Sequence, residues 1–305
     1  MRLHVVHETQ YHYASPVALS QQLLHLSPRV LPWQSCEQHV IQIDPFSTEL
    51  SERVDYFGNR VVQFIVAAAH RNLLVRAESE VVVQPRARAA QARPKTPWET
   101  VRAQLNAIDT PPVAEVTEFA FESPHVERSK DLADYAVKSF AARRGILEAA
   151  TDLAKRIHKD FKFDRTATSV STPLREVLKN RRGVCQDFAH LMIGCLRSIG
   201  LAARYVSGYI LTTPPPGRPR LIGADASHAW VSLWCGKGGP DEAGGWIDID
   251  PTNNCIVDDV HVTLGWGRDF GDVTPMRGVI LGGGEQQLAV RVTVTPKVEA
   301  TLKSR

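Results

Sequence analysis

The chain has 305 residues, 43% hydrophobic and 23% charged, enough for one large domain or two ordinary ones with a sizeable core. Its net charge of +3 is too slight to specify nucleic acid or a membrane surface, and the short basic stretches lack the interleaved aromatics of a strand-binding groove. The start "MRLHVVHETQYHYASP" has no apolar run of signal length, no segment approaches the ~20 apolar residues of a spanning helix, and five cysteines without a C-x-x-C pair argue against a disulfide framework or structural zinc. A reduced, cytoplasmic protein is the expectation.

Residues 1–85 read as an all-β domain. "LHVVHETQYHY" alternates, "RVVQFIVAAAH" and "LLVRAESEVVVQP" are β-rich, and Gly-Asn in "DYFGNR" marks a hairpin turn. His4, His7, His12, His25 and His39 scatter over several strands and carry no metal pattern. Residues 86–97 form a basic Ala/Pro/Arg linker. It leads into a helix start with Thr96 as cap, Pro97 at the first helical position and Glu99 three residues beyond the cap.

The remainder, 98–305, reads as a second domain with a C-terminal strand. In it "LEAATDLAKRIHKDF" is an amphipathic helix, "LREVLKN" a short one, and "CQDFAHLMIGCLRSIG" a third, stopped by Gly200. Strands follow in "ARYVSGYIL", "HAWVSLWC" and "GWIDIDP", separated by loops. "GVILGGGEQQ" reads as a turn before the last strand, "LAVRVTVTP".

Two cysteines lie on the third helix. Cys195 falls in its apolar stripe and reads as a small core hydrophobe. Cys185 falls at its first turn, where free backbone N–H groups and the helix dipole favour the nucleophilic thiolate. A thiol nucleophile needs a base, and the base an orienting partner. His228 opens a strand 43 residues on, and Asp250 lies 22 residues further on the next strand. Asp248 shares a face with Asp250, and strand periodicity does not choose between them.

"GVCQDFAHLM", "DASHAWVSLW" and "GWIDIDPTN" resemble the three motifs of the transglutaminase-like superfamily, in particular the bacterial members described as cysteine proteases. "HETQYHYASPV", "LSPR" and "VDYFGNRV" resemble the β-rich region that precedes the core in that group. The resemblance implies an α+β chain: an N-terminal β-sandwich-like domain, then a papain-like core with a helix packed on an antiparallel sheet. It places the nucleophile on Cys185, the general base on His228 and the orienting carboxylate on Asp250, directly before Pro251-Thr252. No cofactor and no metal are implied.

The expected chemistry is cleavage of a peptide or isopeptide amide through a thioester, with the Cys185 N–H as first oxyanion donor and Gln186 or an outside group as second. Acyl transfer to an amine is the alternative, and a non-catalytic interaction protein on the same fold is the third reading. Asp187 and His190 are expected to be structural, Trp230 and Trp246 to be packing residues. Asp225 either lines the cleft or caps a turn, and the loop 212–220 with Arg218 and Arg220 reads as solvated. The family also implies ATP-grasp-type and helical partner proteins. No nucleic-acid or membrane partner is expected.

Overall fold

A 23-residue strand, β1 (Arg2–Leu24), organises the N-terminal half. Strand alternation puts Leu3, Val5, His7 and Thr9 on its buried face. Its register shifts between His12 and Val17, around Ala14-Ser15-Pro16, so the strand serves two flanks. The first part pairs with β5 (His70–Val83) and the second with β4 (Arg60–Val66). With β2 (Gln34–Asp44) and β3 (Glu49–Val54), the order is β2-β5-β1-β4-β3. The sandwich-like region is therefore one hydrogen-bonded sheet joined through β1. The computed structural model describes residues 1–87, 96–107, 113–212, 227–236 and 245–297. Most of the linker, Asp225, Arg218 and Arg220 lie outside them.

The helical segment contains α1 (Trp98–Asn106), α2 (Val113–Thr117), α3 (Lys130–Ala136) and α4 (Ile146–Asp160). α1 begins one residue later than its sequence suggests, with Pro97 at the cap position. The Thr96 carbonyl accepts the Ile146 N–H at 2.9 Å and Pro97 bridges Gly145, which keeps the chain extended there. Glu99 accepts the Arg143 N–H at 2.8 Å instead of closing a capping box. The short pair β6 (Lys162–Phe163) and β7 (Arg182–Gly183) then brackets α5 (Leu174–Asn180), and α6 (Cys185–Ser198) follows.

A five-stranded antiparallel sheet comes next: β8 (Ala203–Ile210), β9 (Ser227–Trp234), β10 (Trp246–Asp250), β11 (Cys255–Ile256) and β12 (His261–Gly267), in order β11-β10-β9-β8-β12. Ala229, Val231 and Leu233 of β9 join the core cluster with α6. Buried Arg197 ties the C-terminal end of α6 down, donating to the carbonyls of Phe119, Ala203 and Arg268. Among the described residues no helix is long and apolar enough to cross a membrane.

Two side-chain amides join the halves along the edge strand β12. Gln34 accepts the Thr263 N–H and donates to the Thr263 carbonyl, each at 2.8 Å. Asn59, from the hairpin turn, accepts the Trp266 N–H at 3.0 Å and donates to its carbonyl at 2.9 Å. These amides satisfy backbone groups that an edge strand would otherwise leave open. The chain's last two strands, β13 (Met276–Gly282) and β14 (Gln286–Pro296), pair antiparallel with β1 and not with the core sheet. "GVILGGGEQQ" accordingly holds most of a strand as well as a turn. The C-terminal strand assigned to the second domain belongs to the first domain's sheet, because its alternating residues Val292 and Val294 pack with Leu3 and Val5.

Candidate active site

The approach to α6 is sterically fixed. A Cβ on Gly183 would meet the Asp187 carboxylate at 2.6 Å, so only glycine lets the chain pass there. That carboxylate reaches back to accept the Val184 N–H at 2.7 Å and the Thr168 hydroxyl at 2.6 Å. It thereby satisfies one donor of the helix start from the third helical position. Burial raises the Asp187 pKa, partly offset by those two bonds. This is the structural role expected of it. Cys185 is the first residue of the helix and is half-buried, with Gln186 half-buried beside it. Cys195 is fully buried, and burial pushes its thiol up to about 12.

The Cys185 thiol lies 3.9 Å from the carbonyl of Ser227, the residue before His228, and its charge acts on the His228 ring. His228 Nε2 is 2.7 Å from Asp250 Oδ2, which leaves Nδ1 as the nitrogen for the thiol. The structure thus brings Cys185, His228 and Asp250 together from three elements. Asp250 is fully buried. Its Oδ1 accepts the backbone N–H groups of Thr252 at 2.8 Å and Asn253 at 3.1 Å. Its Oδ2 also accepts Asn253 Nδ2 at 2.6 Å and His261 Nε2 at 3.3 Å. His261 Nδ1 accepts the Asp258 N–H, so its Nε2 carries the proton given to Asp250.

The electrostatics follow from these contacts. Burial opposes the charge on Asp250, but the bonds from His228, His261 and Asn253 hold its carboxyl far below the usual range. Burial likewise opposes charge on His228. Its bonds to Asp250 and Cys185, and their charges, outweigh that and lift it to about 10. Because this is above the ~6.5 of an unfolded histidine, the pair stabilises the fold fully below ~6.5 and loses that contribution as pH rises through about 10. Urea titrations between pH 6 and 10.5 should show this decline in wild type and a shallower one in His228→Gln. Equal slopes would mean that His228 is neutral throughout.

Asp248 faces a different set of partners. Arg86 Nη2 donates to its Oδ2 at 2.8 Å, and the Trp230 indole N–H does so at 3.3 Å. Arg86 itself lies 4.5 Å over the Trp33 ring, so the linker's first described residues are pinned to the core sheet. Trp230 is fully buried against Val206 and Val257. His190 is also structural: its Nε2 accepts the Phe270 N–H at 3.1 Å, and burial pushes its pKa down to about 3.

Asn253, His261 and Arg86 were not singled out from the sequence. Asn253 lies inside the quoted "DPTN" and could have been found as a side chain one turn beyond the aspartate. His261 could not, since β12 stands at the opposite edge of the sheet from β10 and β11. Among the described residues, His228, Asp250 and His261 are the trio whose donor atoms lie close enough for a metal ion, within 4.8 Å of one another. Both histidines spend Nε2 on the Asp250 carboxylate in this arrangement.

Comparison with known proteins agrees along the chain. Residues 3–82 match the bacterial transglutaminase-like N-terminal region, and residues 130–251 match the transglutaminase-like superfamily. An uncharacterized protein of Mycobacterium tuberculosis (strain ATCC 25618 / H37Rv) is 40% identical over 97% of this chain and 93% of its own. The chain belongs to the bacterial transglutaminase-like superfamily.

A crystal structure described as a "Putative Cysteine Protease" from Cytophaga hutchinsonii shares the fold, with a TM-score of 0.72 at 19% identity over 97% of this chain and 90% of that one. A protein-glutamine gamma-glutamyltransferase of Pseudomonas aeruginosa is 30% identical over 41% of this transglutaminase-like chain and 18% of its own length.

Proposed function

We propose that the protein is a thiol hydrolase of peptide or isopeptide amides, with Cys185 as nucleophile, His228 as general base and acid, and Asp250 as the orienting carboxylate. The observation that carries this reading is the placement of the Cys185 thiol at a helix start, 3.9 Å from the Ser227 carbonyl, beside His228, whose Nε2 lies 2.7 Å from Asp250 Oδ2. The thiol proton rests on His228 before the reaction, so Cys185 Sγ attacks the amide carbonyl carbon as the thiolate of an ion pair. The oxyanion that forms sits at the first turn of α6, where the Cys185 N–H is the first donor; Gln186 is the proposed second. His228 then protonates the departing amine, a thioester remains on Sγ, and water releases the acid.

Passing the acyl group to an amine uses the same residues. The partial likeness to a protein-glutamine gamma-glutamyltransferase favours it as the second reading. One acyl donor offered water and a primary amine separates the two. Free acid should dominate by mass spectrometry at millimolar amine, whereas a prevailing amine adduct at low amine concentration would make the protein a transferase.

A further inference from the structure

Arg204, near the start of β8, is 92% buried by its exposure of 8% and carries a side-chain Nε with no hydrogen-bond partner. Its guanidinium carbon lies 3.7 Å over the Trp266 ring and 4.2 Å over the Trp246 ring, so the cation rests against two indoles. Arg29 presses on Trp266 as well, at 3.5 Å. A buried arginine normally spends its donors on a carboxylate or on carbonyls, as Arg197 does here. No such bond of Arg204 to another described residue accompanies the stacking. Asp248, whose charge acts on Arg204, is already bonded to Arg86 at 2.8 Å.

Arg204 also lines a half-open cavity of about 530 Å³, a size that holds a small organic molecule. Tyr56, Phe57, Phe119, Trp246 and Trp266 supply aromatic walls. Neither Cys185, His228 nor Asp250 borders it. Trp246 and Asp250 stand at opposite ends of β10, and four residues of strand span about 13 Å. The cavity is a separate place on the same sheet.

We infer that this cavity is a binding site for a small monocarboxylate with a flat aromatic or apolar body, its carboxylate seated on Arg204. The planar guanidinium fork matches a carboxylate or phosphate in two parallel bonds. Glu115 and Glu118 also line the cavity and select between them. Their negative charge opposes a doubly charged phosphate more than a single carboxylate, and the indole walls favour an aromatic body over a purely polar one.

Phenylacetate is the probe, followed by isothermal titration calorimetry and by tryptophan fluorescence, since Trp246 and Trp266 form the walls. Saturable binding is expected, with neutral phenylacetamide and doubly charged phenyl phosphate each at least about tenfold weaker, the range of one lost charge-assisted bond. Arg204→Met should weaken phenylacetate by a similar factor. Tyr56 has an exposed side chain, so Tyr56→Ala keeps the fold and should weaken binding about threefold through lost ring contact. It serves as the second variant if Arg204→Met does not fold. Absence of saturation at 20 mM, equal binding of acid and amide, preference for phenyl phosphate, or full affinity in a folded Arg204→Met or in Tyr56→Ala would overturn the assignment.

Discussion

Asp250→Asn is expected to lower kcat by about 10⁴ in the folded protein, by analogy with the same change in a Ser-His-Asp triad. The amide nitrogen placed against His228 Nε2 donates where the carboxylate accepted. That forces the ring proton onto Nδ1, the nitrogen facing Cys185, and removes the base. Either amide orientation also meets donors already aimed at the site: Asn253 Nδ2 and His261 Nε2 on one side, the Thr252 and Asn253 N–H groups on the other. Some loss of stability is therefore expected, and kcat must be read per folded molecule. Asp248→Asn should behave in the opposite way. It breaks the buried pair with Arg86 and leaves that cation uncompensated, at a cost of about 3 kcal/mol in stability, while folded protein keeps its turnover. Denaturant midpoints and kcat for both variants check the pair. The reverse pattern would place the orienting carboxylate at Asp248.

Brief iodoacetamide treatment at neutral pH should label Cys185 well ahead of the other described thiols. Burial pushes Cys195 and Cys255 each up to about 12 and raises Cys36. A thiol near 12 holds roughly 10³-fold less thiolate at neutral pH than a free cysteine at ~8.5. Cys185, in contrast, stands half-buried at a helix N-terminus against an imidazole that stays protonated up to about 10. Peptide mapping after short exposure reads the order directly. Preferential labelling of Cys36, Cys235 or Cys255 would contradict the assignment of the nucleophile.

The legible part of this site was the part written in local pattern. The apolar period from Phe188 to Ile199 places Cys185 at a helix start and Cys195 in the core, and the structure has both there. Strand alternation puts Asp248 and Asp250 on one face but cannot say which meets His228; that depends on the turn at 251–254, whose backbone N–H groups hold Asp250 in place. Asp248 answers to Arg86 from a distant linker, a pairing that no spacing within "GWIDIDP" can reveal. His261 is hidden for the same reason, since the sheet brings it to Asp250 from the far edge strand. "LAVRVTVTP" reads as a strand and "GVILGGGEQQ" only as a turn, yet both β13 and β14 pair with β1 at the other end of the chain, and sequence separation of that size leaves no local trace. Asn59 shows the limit differently. Its place in "DYFGNR" marks a turn, while its side chain bonds the Trp266 backbone on the edge of the second sheet.

Digestion of a peptide and isopeptide library by wild type and Cys185→Ala, compared side by side by mass spectrometry, tests the central claim most directly. The alanine side chain removes the sulfur and leaves the His228–Asp250 bond and the packing of α6 in place, so the variant should fold. Wild type should release acid products from a definable subset of substrates, and Cys185→Ala should release none of them. Products that persist at the wild-type rate in the folded variant would show that the reaction does not pass through Cys185.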